Sequence, residues 1–264
     1  MSNPAEGYET YMVPALFSPW ASKLIEMAGP KPGERMLDVG CGTGIVSRQA
    51  AVHVGPTGTV IGIDRNPNML AVARKAAAHE RAPIQWYEGR AERLPFTDGA
   101  FDLVVSQFAF MFFDDRPAAM AEIRRVLASG GRVLASVWQG MDRHPFYRLL
   151  HDVMLRREGR SVLQDVFALG DAEELRALAE GVGLRRIEIT STSMTSRFTD
   201  PDAFLAAEVE AGAAAIPSMQ QLDLAARRRL VAAISSELRP ALARAIDDGD
   251  LVLEYHAHIL KAWR

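Results

Sequence analysis

The stretch Arg35-Met36-Leu37-Asp38-Val39-Gly40-Cys41-Gly42-Thr43-Gly44 constrains this chain more than any other. An apolar run ends on an acidic residue, glycines alternate with small residues, and helix-forming sequence resumes at Ile45. That is the order of a first β-strand turning sharply into a first helix, with backbone bare enough for a ligand to lie against it. Such turns hold nucleotides. Here the glycines are spaced G-x-G-x-G, not the G-x-G-x-x-G of dinucleotide sites, and Asp38 stands where the turn begins. A carboxylate there disfavours a pyrophosphate and favours a cation. The expected ligand is a nucleoside carrying positive charge, and S-adenosylmethionine has a sulfonium and an α-ammonium.

The rest of the chain alternates strand and helix patterns, which predicts a mostly parallel sheet with helices on both faces. Strands are expected at about 35–39, 59–63, 84–88, 101–106, 132–138, 184–192 and 251–263, with helices after the first, second and fourth. The helix from Asn66 is expected to reach Glu80, and Arg116–Leu127 forms another. Residues 8–27 are aromatic and aliphatic but interrupted by Pro14 and Pro19, so one or two short helices are expected. After Gly140 the alternation lapses into helices at 144–157 and 171–180, then alanine- and leucine-rich helices over 201–247 with breaks near Pro217 and Pro240. Asp64 ends the second strand, twenty residues beyond Gly44, where a carboxylate can accept hydrogen bonds from both ribose hydroxyls; the alternative is a helix cap. Met69 comes early enough in the next helix to slide under an adenine ring.

With 264 residues, 48% of them hydrophobic, the chain can bury a sizeable core. A net charge of −3 argues against a nucleic-acid footprint, which needs a basic face. Arg227-Arg228-Arg229, the densest basic run, reads as a solvated helix face. The single cysteine, Cys41, excludes an intramolecular disulfide, fits a reducing cytoplasm and sits where a small packing residue is needed. No signal peptide or membrane span is visible, so a cytoplasmic protein is expected.

Asp38-Val39-Gly40-Cys41-Gly42-Thr43-Gly44 resembles motif I of class I S-adenosylmethionine-dependent methyltransferases. The likeness continues through Val60–Asp64, Gly89–Phe96, Phe101–Val105 and Leu127–Arg132, in order and at family spacing. It is similar in particular to the small-molecule branch that includes ubiquinone/menaquinone-biosynthesis C-methyltransferases. The resemblance implies a Rossmann-like, doubly wound, seven-stranded sheet, mostly parallel with the last strand antiparallel, carrying helical cap insertions. It implies an N-terminal helical lid over 1–32, a cofactor-binding core over 33–140, and a cap over 141–264 that returns the last two strands to the core. S-adenosylmethionine is then held by Tyr11, Asp38, Gly40, Gly42, Thr43, Gly44, Asp64, Arg65, Met69, Arg90, Ala91, Glu92 and Gln107. The chain departs from the family at Arg90, where an acidic residue usually meets the adenine amino group; arginine cannot accept that bond, which leaves the backbone at Ala91.

The resemblance puts Gln107-Phe108-Ala109-Phe110 at the position nearest the transferable methyl group, and it is not the Asn/Asp-Pro-Pro-Tyr tetrad of DNA-adenine and glutamine N-methyltransferases. With Phe108, Phe110, Met111 and Phe112 there, a small apolar or aromatic acceptor is expected. Should that acceptor need a general base, His144, Tyr147 and His151 are candidates, the first two foremost, each also explicable as a cap or surface residue. His53, His79, His256 and His258 are less well placed. No magnesium-ligand set is expected, since Asp114-Asp115 precedes Arg116-Pro117 as a helix cap would. Two other readings stay open: a nicotinamide-dependent reductase, and a catalytically silent cofactor-binding module. The sequence leaves a homodimer open.

Overall fold

The computed structural model describes residues 4–78, 84–159, 161, 163–215 and 223–264, without the side chains of 158, 210–215, 224, 227 and 228. The expectations for His79, Glu80, the break at Pro217 and the side chains of Arg227 and Arg228 lie outside that range. In order the elements are α1 (Pro4–Gly7), a π-helix (Tyr8–Phe17), α2 (Ser18–Ala28), β1 (Arg35–Val39), α3 (Ile45–Val54), β2 (Thr59–Asp64), α4 (Pro67–Ala76) and β3 (Ile84–Glu88). Then come β4 (Phe101–Gln107), a 3-10 turn (Phe110–Phe112), α5 (Arg116–Val126), β5 (Leu127–Trp138), a 3-10 turn (Met141–Arg143), α6 (Pro145–Glu158), α7 (Leu163–Val166) and α8 (Ala172–Gly181). β6 (Arg185–Phe198), α9 (Pro201–Ala215), α10 (Leu224–Leu242), a 3-10 turn (Ala243–Ala245), β7 (Ile246–Asp247) and β8 (Asp250–Trp263) follow.

The sheet runs β3-β2-β1-β4-β5-β8-β6, with β7 paired to β8. The pairs from β3 across to β5 are parallel and β5–β8 is antiparallel, as the doubly wound reading requires. Chain order reverses between β1 and β4, so the crevice for a ligand opens beyond Val39 and Gln107. Both strands are near-continuous apolar runs because helices cover both faces, and Met36, Leu37, Leu103 and Val104 are fully buried.

Several boundaries differ from expectation. β5 begins at Leu127, not Arg132: the Gly130-Gly131 pair, with Gly130 at φ +75°, is absorbed as an irregularity where the partner of Phe101 is Leu127 and that of Leu103 is Arg132. β6 runs to Phe198 instead of Thr192. The Asp247–Asp250 turn closes a hairpin, with Asp248 and Gly249 both at positive φ, and adds the two-residue strand β7 as an eighth. Pro14 does not break the leading helix. The helix widens to π register around it, with the Ser18 N–H reaching Val13 O, five residues back.

The chain divides into two compact units. The first holds Met1–Trp138, Leu169–Thr192 and Ala257–Arg264. The N-terminal helices belong to it, anchored by Trp20, Leu16 and Leu24, each at most 2% exposed. The second holds Gln139–Ala168 and Ser193–His256, centred on Phe146, Tyr147, Phe198, Phe204 and Tyr255. Of the segment 141–264, read as a cap that returns the last two strands to the core, Leu169–Thr192 and Ala257–Arg264 fall in the first unit and the rest in the second.

Candidate cofactor and active site

The first unit brings the glycine turn, the tip of β2 and the end of β4 together. Gly40, Gly42 and Gly44 all have positive φ, from +55° to +83°, a backbone that side chains resist. At Gly44 a side chain is also excluded, because a Cβ would lie 2.2 Å from the Trp86 ring. At Gly42 a Cβ would meet nothing within 4 Å, so the turn's outer face is open. The Gly40 and Cys41 N–H groups donate to Ile63 O, which fixes the turn against β2. Asp64 accepts from Gly42 N through Oδ2 and from Asn66 N through Oδ1, both at 2.8 Å. It is Asn66 whose side chain caps α4, which leaves Asp64 at the strand tip facing the turn.

Asp38 is 1% exposed, a carboxylate inside a core strand. Its Oδ2 accepts from Ser47 N at 3.1 Å and Ser47 Oγ at 2.7 Å, while Oδ1 has no hydrogen-bond partner. Burial lifts its pKa from 3.8 to about 7 against the opposing pull of Ser47, with Asp64 adding to the rise. The unmatched buried oxygens around the turn can all accept: Asp38 Oδ1, Gln107 Oε1 and Glu9 Oε2, and the Thr43 hydroxyl, which can also donate. Buried polar groups are costly unless paired, and such a set fits a ligand presenting N–H donors and positive charge. S-adenosylmethionine meets that description. Cys41 is 8% exposed, and burial, then Asp38 and Asp64, push its thiol well above the ordinary value, which suits packing and not nucleophilic attack.

The remaining cofactor candidates lie on loops around this centre. Gln107 donates from Nε2 to Phe17 O at 3.0 Å, tying the N-terminal segment to the end of β4. Burial, then Glu9, Asp64 and Asp38, push the Tyr8 phenol up, so Tyr8 stands among these carboxylates, whereas Tyr11 is 56% exposed. Ala91 is buried and Met69 half-buried. Arg90 is half-exposed and paired with Asp114 and Glu92; Arg65 reaches the same Asp114 at 3.3 Å, and Glu92 accepts from Asp114 N at 2.8 Å. Arg90 therefore joins the loops that follow β3 and β4. Asp115 caps α5 by accepting from Ala118 N. Among the described residues no three His, Cys, Asp or Glu side chains are grouped as metal ligands.

His144 and Tyr147 belong to the second unit. The His144 Nδ1 is 3.2 Å from Gly140 O and Nε2 accepts from His256 N at 3.0 Å; burial lowers its pKa to about 4. It is neutral at pH 7 with both ring nitrogens engaged. Tyr147 donates to Glu208 Oε1 at 3.1 Å and lies 3.2 Å from the Tyr255 hydroxyl. Burial raises Glu208 to about 7 and Tyr147 well above 10. A cavity of about 370 Å³ is lined by His144, Tyr147, Tyr255 and His256 among others. His151 is buried with Nδ1 unpartnered. Glu208 was not singled out in the sequence, since nothing in the helix-friendly run around it marks position 208 as enclosed. Glu9, Arg48 and Ser47 were missed for the same reason.

Residues 37–135 match the methyltransferase domain family. The chain belongs to the class I S-adenosylmethionine-dependent methyltransferases. Within that class it is similar to the ubiquinone/menaquinone biosynthesis C-methyltransferase of Burkholderia orbicola, 34% identical over 179 residues that make up 66% of this chain and 70% of the relative. The corresponding enzyme of Cupriavidus metallidurans is 34% identical over 167 residues, 62% of this chain, and the match spans 65% of that relative's length. The fold is shared with the YcgJ protein of Bacillus subtilis at 20% identity, a TM-score of 0.61, and coverage of 92% of this chain and 97% of that one.

Proposed function

We propose that the protein transfers the methyl group of S-adenosylmethionine to a small apolar or aromatic organic acceptor. The observation that carries this reading is the open glycine turn at the β1/β4 crevice, flanked by Asp38 and Asp64 and short of donors for its buried oxygens. The bound cofactor supplies an electrophilic methyl on a neutral leaving group. Gly40–Gly44 position its backbone-facing side, Asp64 receives the ribose hydroxyls, and Asp38 favours its positive charge. Arg65, Met69, Arg90, Ala91 and Glu92 frame the adenine end, with recognition through the Ala91 backbone. Alignment of two bound reactants can supply on the order of 7–11 kcal/mol of barrier reduction, so no metal ligand set is required.

An apolar acceptor is supported by the aromatic group at the end of β4. Phe108 stacks on Trp138 at 3.6 Å, and Trp20 meets both rings edge-on at 5.5 and 5.8 Å. The two relatives above carry the name of ubiquinone and menaquinone biosynthesis, which points the same way. Of the two residues put forward for proton transfer, Tyr147 donates its hydroxyl proton in a hydrogen bond to Glu208 and burial holds that proton on, while His144 holds the backbone of β8 at His256. The proposal further places the protein in the cytoplasm, with residues 1–32 as a lid, cap residues within 141–264 selecting the acceptor, and neither nucleic acid nor a protein tail as acceptor. A homodimer is compatible with it. Among the described residues no helix is long and apolar enough to cross a membrane.

The test is a transfer screen with tritium-labelled S-adenosylmethionine over lipophilic small molecules, RNA, DNA and histone-like peptides. Label is expected in a lipophilic phenol or quinol. Labelling of polymers alone would refute the acceptor class. Tight cofactor binding with no transfer to any acceptor would favour a silent binding module.

A further inference from the structure

Glu9 lies in the π-helix and Arg48 at the end of the first turn of α3, and they form an ion pair at 2.7 Å with side chains only 21% and 16% exposed. The pair is unfinished. Glu9 Oε1 is satisfied by Arg48 Nη2, yet Glu9 Oε2 and Arg48 Nε are enclosed and have no hydrogen-bond partner. A pair whose purpose was to fasten the N-terminal segment would gain most by using both forks, as Arg35 and Asp102 do at 3.0 and 2.8 Å. Around the same turn Asp38 Oδ1 and Thr43 Oγ1, on residues 1% exposed, are likewise unmatched.

The unmatched groups are therefore of two kinds: carboxylate and hydroxyl oxygens that accept, and one guanidinium N–H that donates. The ten-residue helix α3 adds its positive N-terminal end on the same side of the turn. An α-amino acid is complementary to this set, with an ammonium of three donors beside a carboxylate. We infer that Glu9 and Arg48 are further cofactor-binding residues, the pair that receives the ammonium and carboxylate of the cofactor's methionine end with Asp38 and Thr43 behind it. This rests on the reading that the glycine turn binds S-adenosylmethionine, and adds to it that a residue outside the doubly wound core completes the site. It also accounts for the π register, a rare form found at functional sites, in the segment that carries Glu9.

Calorimetry on the full chain with two ligands tests this: S-adenosylhomocysteine, which has the amino-acid end, and 5′-methylthioadenosine, which lacks it. Glu9→Gln and Arg48→Met should each weaken S-adenosylhomocysteine by about tenfold or more, the scale of a hydrogen bond to a charged group. Both should bind 5′-methylthioadenosine within about twofold of the unaltered protein. If Arg48→Met does not fold, the isosteric Glu9→Gln carries the test alone. Equal losses for both ligands would mean that the pair acts only by holding the segment in place, and unchanged S-adenosylhomocysteine affinity would remove it from the site; either result overturns the inference. Failure of the unaltered protein to bind either ligand would overturn the cofactor reading itself.

Discussion

Asp38 is the residue where burial and charge are most nearly balanced. Its ordinary pKa is 3.8 and its folded value about 7, so between those limits the folded chain holds a proton that the unfolded chain has released. Stability therefore falls as pH rises through that window, and a ligand cation, which favours the ionised form, binds better across the same range. S-adenosylhomocysteine affinity should increase from about pH 5.5 to about pH 8, with proton release below neutrality seen by calorimetry in buffers of different ionisation heat. Asp38→Asn should flatten that dependence. Glu208 also titrates near 7, so a slope that survives the substitution would assign the effect elsewhere. Asp38, Asp64 and the three glycines were legible because their chemistry is local: a turn that must be bare, and a carboxylate at each strand end. Glu9–Arg48 and Tyr147–Glu208 join positions 39 and 61 apart, which no local pattern announces.

Among the elements, the N-terminal segment is the least uniform. α2 is a packed core helix with Trp20, Ala21, Leu24 and Ile25 at most 3% exposed, so it should resist hydrogen exchange with or without ligand. The Tyr8–Phe17 π-helix instead carries Tyr11 and Pro14 exposed, together with the enclosed Glu9 Oε2, which lacks a hydrogen-bond partner. Its amides should exchange fast in the free protein and slow when S-adenosylhomocysteine is added. Equal protection in both states would make it a fixed strut and refute the lid. Pattern and propensity located a helix here but not its register: Pro14 lacks an N–H, and only the surrounding packing decides whether a helix breaks or widens around it. The same holds for β5, where Gly130 reads as a stop in sequence and serves as an irregularity between paired strands.

At the scale of the molecule, β8 is the strand on which the sheet depends. It lies between β5 and β6, and its residues Ala257, Ile259, Leu260 and Ala262 are at most 1% exposed. Ile259 pairs with Ser136 of β5. Ile259→Pro removes a ladder donor from an internal strand, and we expect a loss of at least about 3 kcal/mol in a denaturant melt. A variant as stable as the parent would show that β8 is not needed to close the sheet. The strand was visible in sequence as an apolar run, and the family resemblance implied its antiparallel direction. The resemblance also implied that the last two strands return to the core; that the stretch from Leu169, ahead of β6, goes with the first unit was not visible, because it depends on which distant segments bury each other.

The place of β8 also bears on how the protein is made. Of all the strands described, it leaves the ribosome last, yet it is internal to the sheet. Until it arrives, β5 presents an unpaired, apolar edge, and β6 waits with no neighbour on that side. Nascent chains in this condition are open to edge-to-edge association and to capture by chaperones. Synthesis that stalls before residue 250 would leave the glycine turn between β1 and α3 on a body that cannot close, so yield in a cell should depend on elongation through β8 as much as on final stability.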